Sequence, residues 1–256
     1  MKRRALLIAA ELALVLGGCS AHHADPNADA SPTAAASAPM SQGDASSTIP
    51  SVTSPTITAT EHPFEAYASV DSDHLAWLAL YYAVSHAAVD YAAAADQLDS
   101  TYQQTSDAFA KRDALNAFKP RLDAAIAQAK ANPYRRLPAF QSTLPGYDLE
   151  HQTYDLRPII GPDNRLDVAS GEAVIAFAPS TSLQTYHPAT EAEARKTEQV
   201  LGSNSLGRRV KVTVLAKAVA ATLQGRPLIT FAPARVEFEN YAVDGTATPL
   251  FTASVP

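Results

Sequence analysis

The chain has 256 residues, 46% hydrophobic and 18% charged, enough for one ordinary domain or two small ones around a buried core. Its formal net charge of -6 offers no basic excess to release counterions from a phosphate backbone, which argues against nucleic acid as a partner. A single cysteine excludes a disulfide framework and any multi-cysteine metal site, and no metal or cofactor is implied.

The chain opens Met1-Lys2-Arg3-Arg4, continues with an apolar run from Ala5 to Leu16 and closes that run with Gly17-Gly18-Cys19. A positive start, a short apolar stretch and small residues before the cysteine predict a secretory signal peptide over residues 1–18, because a membrane-spanning helix needs about 20 apolar residues. Leu16-Gly17-Gly18-Cys19 resembles the lipobox of bacterial lipoproteins. The resemblance implies lipidation of the Cys19 thiol, cleavage before it and stable membrane anchoring, since several acyl chains hold where one binds only marginally. Ser20 stands where that family uses Asp for inner-membrane retention, so the resemblance implies the outer membrane, facing the periplasm. Glu11 inside the apolar run departs from the pattern.

Residues 20–63 are Ala, Ser, Thr or Pro at 30 of 44 positions and contain no Phe, Tyr, Trp, Lys or Arg. With only Met40, Ile49, Val52 and Ile57 bulky and apolar, burial cannot offset the ordering entropy, and residues 19–63 are expected to be a disordered tether. A flexible chain of that length spans roughly 35 to 40 Å.

Structure is expected from Phe64. Asp71-Ser72-Asp73 offers an N-cap, and Leu75, Leu78, Tyr82 and Tyr91 recur at helical spacing, which predicts one helix over about 72–98. His86 and Asp90 would then share a face one turn apart. A second helical stretch, about 105–131, carries Phe109, Leu115, Phe118, Leu122 and Ile126, with Pro120 as a break or a new start and Asn132-Pro133 as the stop.

The remainder turns to strand patterns. Residues 171–178 form an apolar run, Arg209, Lys211 and Thr213 alternate with Val210, Val212 and Val214, and Arg235, Glu237 and Glu239 alternate with Val236, Phe238 and Asn240. Gln224-Gly225-Arg226-Pro227 supplies the turn between them, and Thr190 with Glu193 makes a capping box for a helix over 191–201. The fold class expected is α+β: N-terminal helices over about 72–131 packed on one face of an antiparallel sheet over about 171–254, all within a single domain from 64 to 256. Val210, Val212, Val214, Val236 and Phe238 should face those helices.

Asp107-Ala108-Phe109-Ala110-Lys111-Arg112, Lys119-Pro120-Arg121-Leu122, Asn132-Pro133-Tyr134 and Gly146-Tyr147-Asp148-Leu149 form a succession that resembles a family of exported bacterial proteins with a domain of unknown function. The likeness would cover about residues 107–240. It implies an autonomous, commonly exported α+β module and brings no catalytic residue.

No nucleophile elbow, His-Glu-x-x-His helix, phosphate loop or dinucleotide fingerprint occurs. Two groups of residues remain. Arg135-Arg136 and Arg208-Arg209 with Lys211 are basic doublets in an acidic protein, suited to carboxylates and phosphates of an envelope partner, or to pairing with Glu191, Glu193 and Glu198. Asp148, Glu150, His151 and Asp155 cluster between Tyr147 and Tyr154, where carboxylates and an imidazole could converge or simply decorate a connector. The expectation is a lipid-anchored, non-enzymatic envelope module that binds an envelope protein or polymer. The alternative is a small envelope hydrolase using the connector carboxylates and His151.

Overall fold

The computed structural model describes residues 62–70, 73–180, 182–241 and 247–255. After a short strand β1 (Ala68–Ser69), its first half is helical: α1 (His74–Ser85), α2 (Tyr91–Leu98), α3 (Ser100–Gln104) and α4 (Ala108–Ala131). Each helix begins on an aspartate whose carboxylate accepts the N–H three residues on: Asp73 from Ala76, Asp90 from Ala93, Asp99 from Tyr102 and Asp107 from Ala110. The single helix expected over 72–98 is therefore divided. Apolar periodicity continues through the breaks, but Asp90 and Asp99 bond to their own downstream backbone, and His86 ends α1 in a left-handed conformation at φ 56°. His86 and Asp90 close one helix and open the next instead of sharing a face. Pro120 lies inside α4 rather than breaking it. It and Asn116, whose carbonyl loses its usual donor, are exposed, so water can satisfy that oxygen.

The second half supplies β2 (Tyr134–Arg136), β3 (Phe140–Thr143), β4 (Tyr154–Asp155), α5 (Arg157–Ile160), β5 (Arg165–Val168), β6 (Ala173–Phe177), β7 (Thr185–Tyr186), α6 (Glu191–Ser203), β8 (Arg209–Gln224), β9 (Arg226–Tyr241) and β10 (Ala247–Ser254). The β8–β9 hairpin is the spine, paired from Val210 with Asn240 to Gln224 with Arg226. β3 and then β2 take successive stretches of the outer edge of β8, while β10 and β6 divide the outer edge of β9; β1 extends β2, and β5 extends β6. The sheet is mixed, which corrects the antiparallel expectation: β6 runs parallel to β9, and β1 parallel to β2. Between β6 and β9 the chain makes β7, α6 and the whole of β8, a connection long enough to return in the same direction.

Alternation sets the layers. β8 buries Val210, Val212, Val214, Ala216 and Ala218 on one face and Thr213 and Leu215 on the other, and β9 buries Val236 and Phe238 opposite Val214 and Val212. α1 packs on both strands, with Trp77 meeting Phe231 edge-on at 6.3 Å between ring centroids. Phe238, expected beneath the helices over 72–131, stacks instead on Phe251 at 4.7 Å, and Phe251 stacks in turn on Tyr186 at 4.2 Å and Tyr154 at 5.5 Å. A register irregularity between Leu215 and Ala216, where β9 carries one residue more than β8, falls between these two packing zones.

Thr190 caps α6 as expected, its hydroxyl accepting the Glu193 N–H at 3.2 Å; the helix runs on through Gly202 and ends at Asn204. The stretch read as a connector after Pro133 is part of the sheet through β2 and β3.

Candidate functional site

The connector cluster is a turn that organises itself. Asp148 and Thr153 exchange backbone hydrogen bonds at 2.8 and 3.2 Å, closing a loop in which Gln152 adopts φ 54°. The Asp148 carboxylate accepts the backbone N–H groups of Glu150 and His151 at 2.9 and 3.0 Å, and its other oxygen lies 2.7 Å from His151 Nδ1. The hydrogen bonds from His151, backbone first and then side chain, hold the Asp148 carboxyl below the ordinary carboxylate range. Asp155 faces a different partner. It accepts Arg157 Nε and Nη2 at 2.9 and 2.8 Å and the Arg157 N–H at 3.0 Å, which lowers its pKa as well. Glu150 is exposed on the turn. The four groups thus form two separate local arrangements, because Asp148 and Asp155 are each held by residues two or three positions away.

What the turn does hold is its flanking tyrosines. Tyr147 and Tyr154 pack with ring centroids 5.1 Å apart, and Tyr154 is fully buried with its hydroxyl donating to the Ala194 carbonyl of α6 at 3.3 Å. Beside it lies a polar network built on Arg208 and Glu198, one of the pairings the sequence offers for the basic doublets. Arg208 donates through Nη1 and Nη2 to both Glu198 oxygens at 2.7 and 2.9 Å, and through Nε and Nη2 to the carbonyls of Leu144 and Pro145 at 2.8 and 2.7 Å. The Arg208 hydrogen bonds hold the Glu198 carboxyl below its ordinary range. Burial raises the Tyr154 phenol, and the neighbouring Glu198 charge raises it further. Tyr186 is raised in the same way by burial and by Glu193, to which its hydroxyl donates at 2.5 Å. The sequence offers the pairing of Arg208 with Glu198, whereas the two carbonyls and the tyrosines that join it depend on how α6 lies beside β8.

The two basic doublets do not form one patch. Arg135 is buried at 6% exposure beside Ala216, with Nη1 donating to the carbonyls of Asn132, which caps α4, and of Tyr134 in β2, and burial lowers its pKa. Arg208 is held in the network just described. Lys211 pairs with Glu239 at 3.0 Å. Arg136 and Arg209 are exposed, and among the described residues neither has a carboxylate within ion-pair reach. Arg136 lies over the Phe64 ring at 5.4 Å, and one pair along, Lys217 lies over the Tyr134 ring at 5.7 Å. Register puts Tyr134 opposite Lys217 and Arg136 opposite Leu215, so these side chains share the face of the sheet that alternates with the core residues of β8. Thr252 and Ser254 of β10, exposed and alternating with buried Phe251, Ala253 and Val255, lie on that face too.

Two hollows lie elsewhere. One, of about 10 Å³, is lined by His74, Trp77, Gln97 and Glu172 and has room for one water; His74 Nδ1 contacts Glu172 at its rim. The other, a cleft of about 120 Å³, runs between α6 and β10 and is lined by Glu193, Lys196, Val200, Thr248 and Leu250. None of the connector candidates lines either. Among the described residues, no three His, Cys, Asp or Glu side chains gather as a metal site, and no helix is long and apolar enough to cross a membrane. Cys19, the signal peptide and all but the last two residues of the tether lie outside the described residues.

No protein-family model, curated protein or solved structure matches the chain.

Proposed function

We propose that the chain is a lipid-anchored cell-envelope protein whose α+β module binds an anionic envelope component, protein or polymer, through the polar face of its sheet. The observation that carries this reading is the set of cations on that face: Arg136, Arg209 and Lys217 are without carboxylate partners among the described residues, and two of them lie over the aromatic rings of Phe64 and Tyr134. A guanidinium free of internal pairing keeps its donors for carboxylates or phosphates outside. The anchor rests on Leu16-Gly17-Gly18-Cys19, and residues 20–63 would hold the module off an outer membrane on its periplasmic side. In this reading the protein acts by binding, and the turn over Tyr147–Tyr154 shapes the fold.

Two experiments test it. Metabolic labelling with a radioactive fatty acid should mark the wild type and leave Cys19→Ala unlabelled; equal labelling of both removes the anchor. Photo-crosslinking in envelopes from position 209 should give an adduct that the double charge reversal Arg136→Glu with Lys217→Glu abolishes. Adducts that persist unchanged remove the polar face as the binding surface.

A further inference from the structure

We propose that the groove between α6 and β10 takes an extended acidic peptide segment of another protein, added as a strand to the outer edge of β10 with a carboxylate meeting Lys196. β10 pairs with β9 from Ala247 with Tyr241 to Ser254 with Arg235, and among the described residues no strand pairs with its other edge. The last hydrogen bond of that pair fixes which groups the edge presents. The Val255 N–H donates inward to the Ala234 carbonyl at 2.9 Å, so alternation turns the N–H and carbonyl groups of Ala253 and Phe251 inward as well, and those of Thr252 and Ser254 outward. Outward donors and acceptors in a row are a template for another strand. Pro249, with no N–H to offer, stands where the register turns irregular and ends that template at the other side.

At the Pro249 end the edge meets the cleft of about 120 Å³. Glu193, Lys196 and Val200 recur at spacings of three and four and so line one flank of α6, beside the stripe of Ala194, Thr197 and Leu201 that the helix buries. Thr248 and Leu250 of β10 form the opposite wall. An edge strand facing a helix across a hollow suits strand addition, in which main-chain bonds supply affinity and side-chain pockets supply specificity. Charge selects the occupant. Glu193 is used within the fold, its carboxylate accepting the Tyr186 hydroxyl at 2.5 Å and the Ala189 N–H at 2.9 Å, and Arg195 pairs with Glu191. Lys196 is exposed and has no carboxylate within ion-pair reach among the described residues. The cleft therefore sets one ammonium beside an aliphatic lining of Val200, Pro249 and Leu250, which matches a Glu or Asp side chain with its carboxylate at Lys196 and its stem on the lining. From Leu250 to Ser254 the edge runs about 13 Å, a length that about five peptide residues fill. The groove is separate from the cationic face of the sheet, since Arg136, Arg209 and Lys217 are carried by β2 and β8, on the far side of β9 from β10.

A display library of random heptapeptides, panned against the immobilised full chain, tests the groove. Enriched sequences should carry Asp or Glu at a fixed position among strand-forming residues, and a synthetic peptide of the enriched sequence should bind Lys196→Glu at least about fivefold more weakly than the parent. Thr252→Pro removes an outward donor and leaves the β9 ladder intact, so it should weaken the same peptide about tenfold while the urea-unfolding midpoint stays as in the parent. No acidic enrichment, or equal binding by the parent and Lys196→Glu, overturns the proposal. Equal binding by the parent and Thr252→Pro means capture by a side chain alone and overturns strand addition. The double variant Arg136→Glu with Lys217→Glu should bind the peptide as the parent does; loss of binding there moves the peptide to the polar face of the sheet and overturns the groove.

Discussion

The two ends of the β8–β9 hairpin are made of the same two strands and are finished differently. At the end near Arg209 and Tyr241, β3 and β10 flank the hairpin on both sides, four aromatic rings from Tyr154, Tyr186, Phe238 and Phe251 stack over it, and Arg208 satisfies Glu198 and two carbonyls beside it. At the Gly225 end, β6 flanks β9 only, and β8 projects an exposed edge that ends in Leu223 and Gln224. Among the described residues, strands pair with both outer edges of the hairpin at the first end and so fix its geometry, whereas the outer edge of β8 beyond Ala218 has no strand partner at the second. Stability should therefore concentrate at one end of a single ladder.

The largest test of that contrast is Phe251→Ala. Its ring joins Phe238, Tyr186 and Tyr154, so truncation opens a cavity that strands and helix hold apart, with an expected loss of about 3 to 5 kcal/mol in urea-unfolding stability. A loss under about 1 kcal/mol would mean that the stack does not hold this end together.

Next comes the arginine doublet at the start of β8. Arg208→Ala removes four charged or carbonyl hydrogen bonds and leaves Glu198 half-buried without its cation; given the partial solvent screening of the pair, about 2 kcal/mol is expected. Arg209→Ala, one residue along and exposed, should change stability by less than about 0.5 kcal/mol. Equal effects would erase the distinction between a cation used for folding and one left for a partner.

The same pair has a pH signature. Arg208 lowers the folded-state pKa of Glu198 beneath its ordinary value of 4.5, so the ionised carboxylate contributes stability that is fully present above that value and is lost as pH falls through the lowered folded-state pKa. Unfolding free energy measured from about pH 6 downward should fall more steeply in the parent than in Arg208→Ala. Superimposable slopes would show that the pair adds nothing to acid sensitivity.

How much of this was legible depends on range. Alternation at 209–214 and 235–240 identified both long strands, and the spacing of Thr190 and Glu193 placed the start of α6, because these signals lie within a few residues of chain. The apolar period over 72–98 predicts one helix because it survives the breaks, whereas the aspartate caps interrupt only the backbone. β2 and β3 carry three and four residues and draw their order from β8, so no local pattern marks them. The parallel setting of β6 against β9 depends on the path taken by the chain between them. The basic residues illustrate the limit best: Arg135-Arg136 reads as one patch, yet a strand sends successive side chains to opposite faces, so Arg135 is buried and Arg136 is exposed.

The turn should cost less than either the aromatic stack or the Arg208 pair. Gly225 sits at φ 75° between Gln224 and Arg226, which pair with each other, and a Cβ added there would meet nothing within 4 Å. Gly225→Ala therefore introduces backbone strain of about 1 to 2 kcal/mol for a left-handed alanine. A stiffer unfolded chain returns about 0.4 to 1 kcal/mol of this. A net loss near 1 kcal/mol is expected, with exchange at 210–214 unchanged because the tip is the part of the ladder that opens most easily. A loss as large as that of Phe251→Ala would mean that the tip is as tightly held as the aromatic end, and the gradient along the hairpin would vanish.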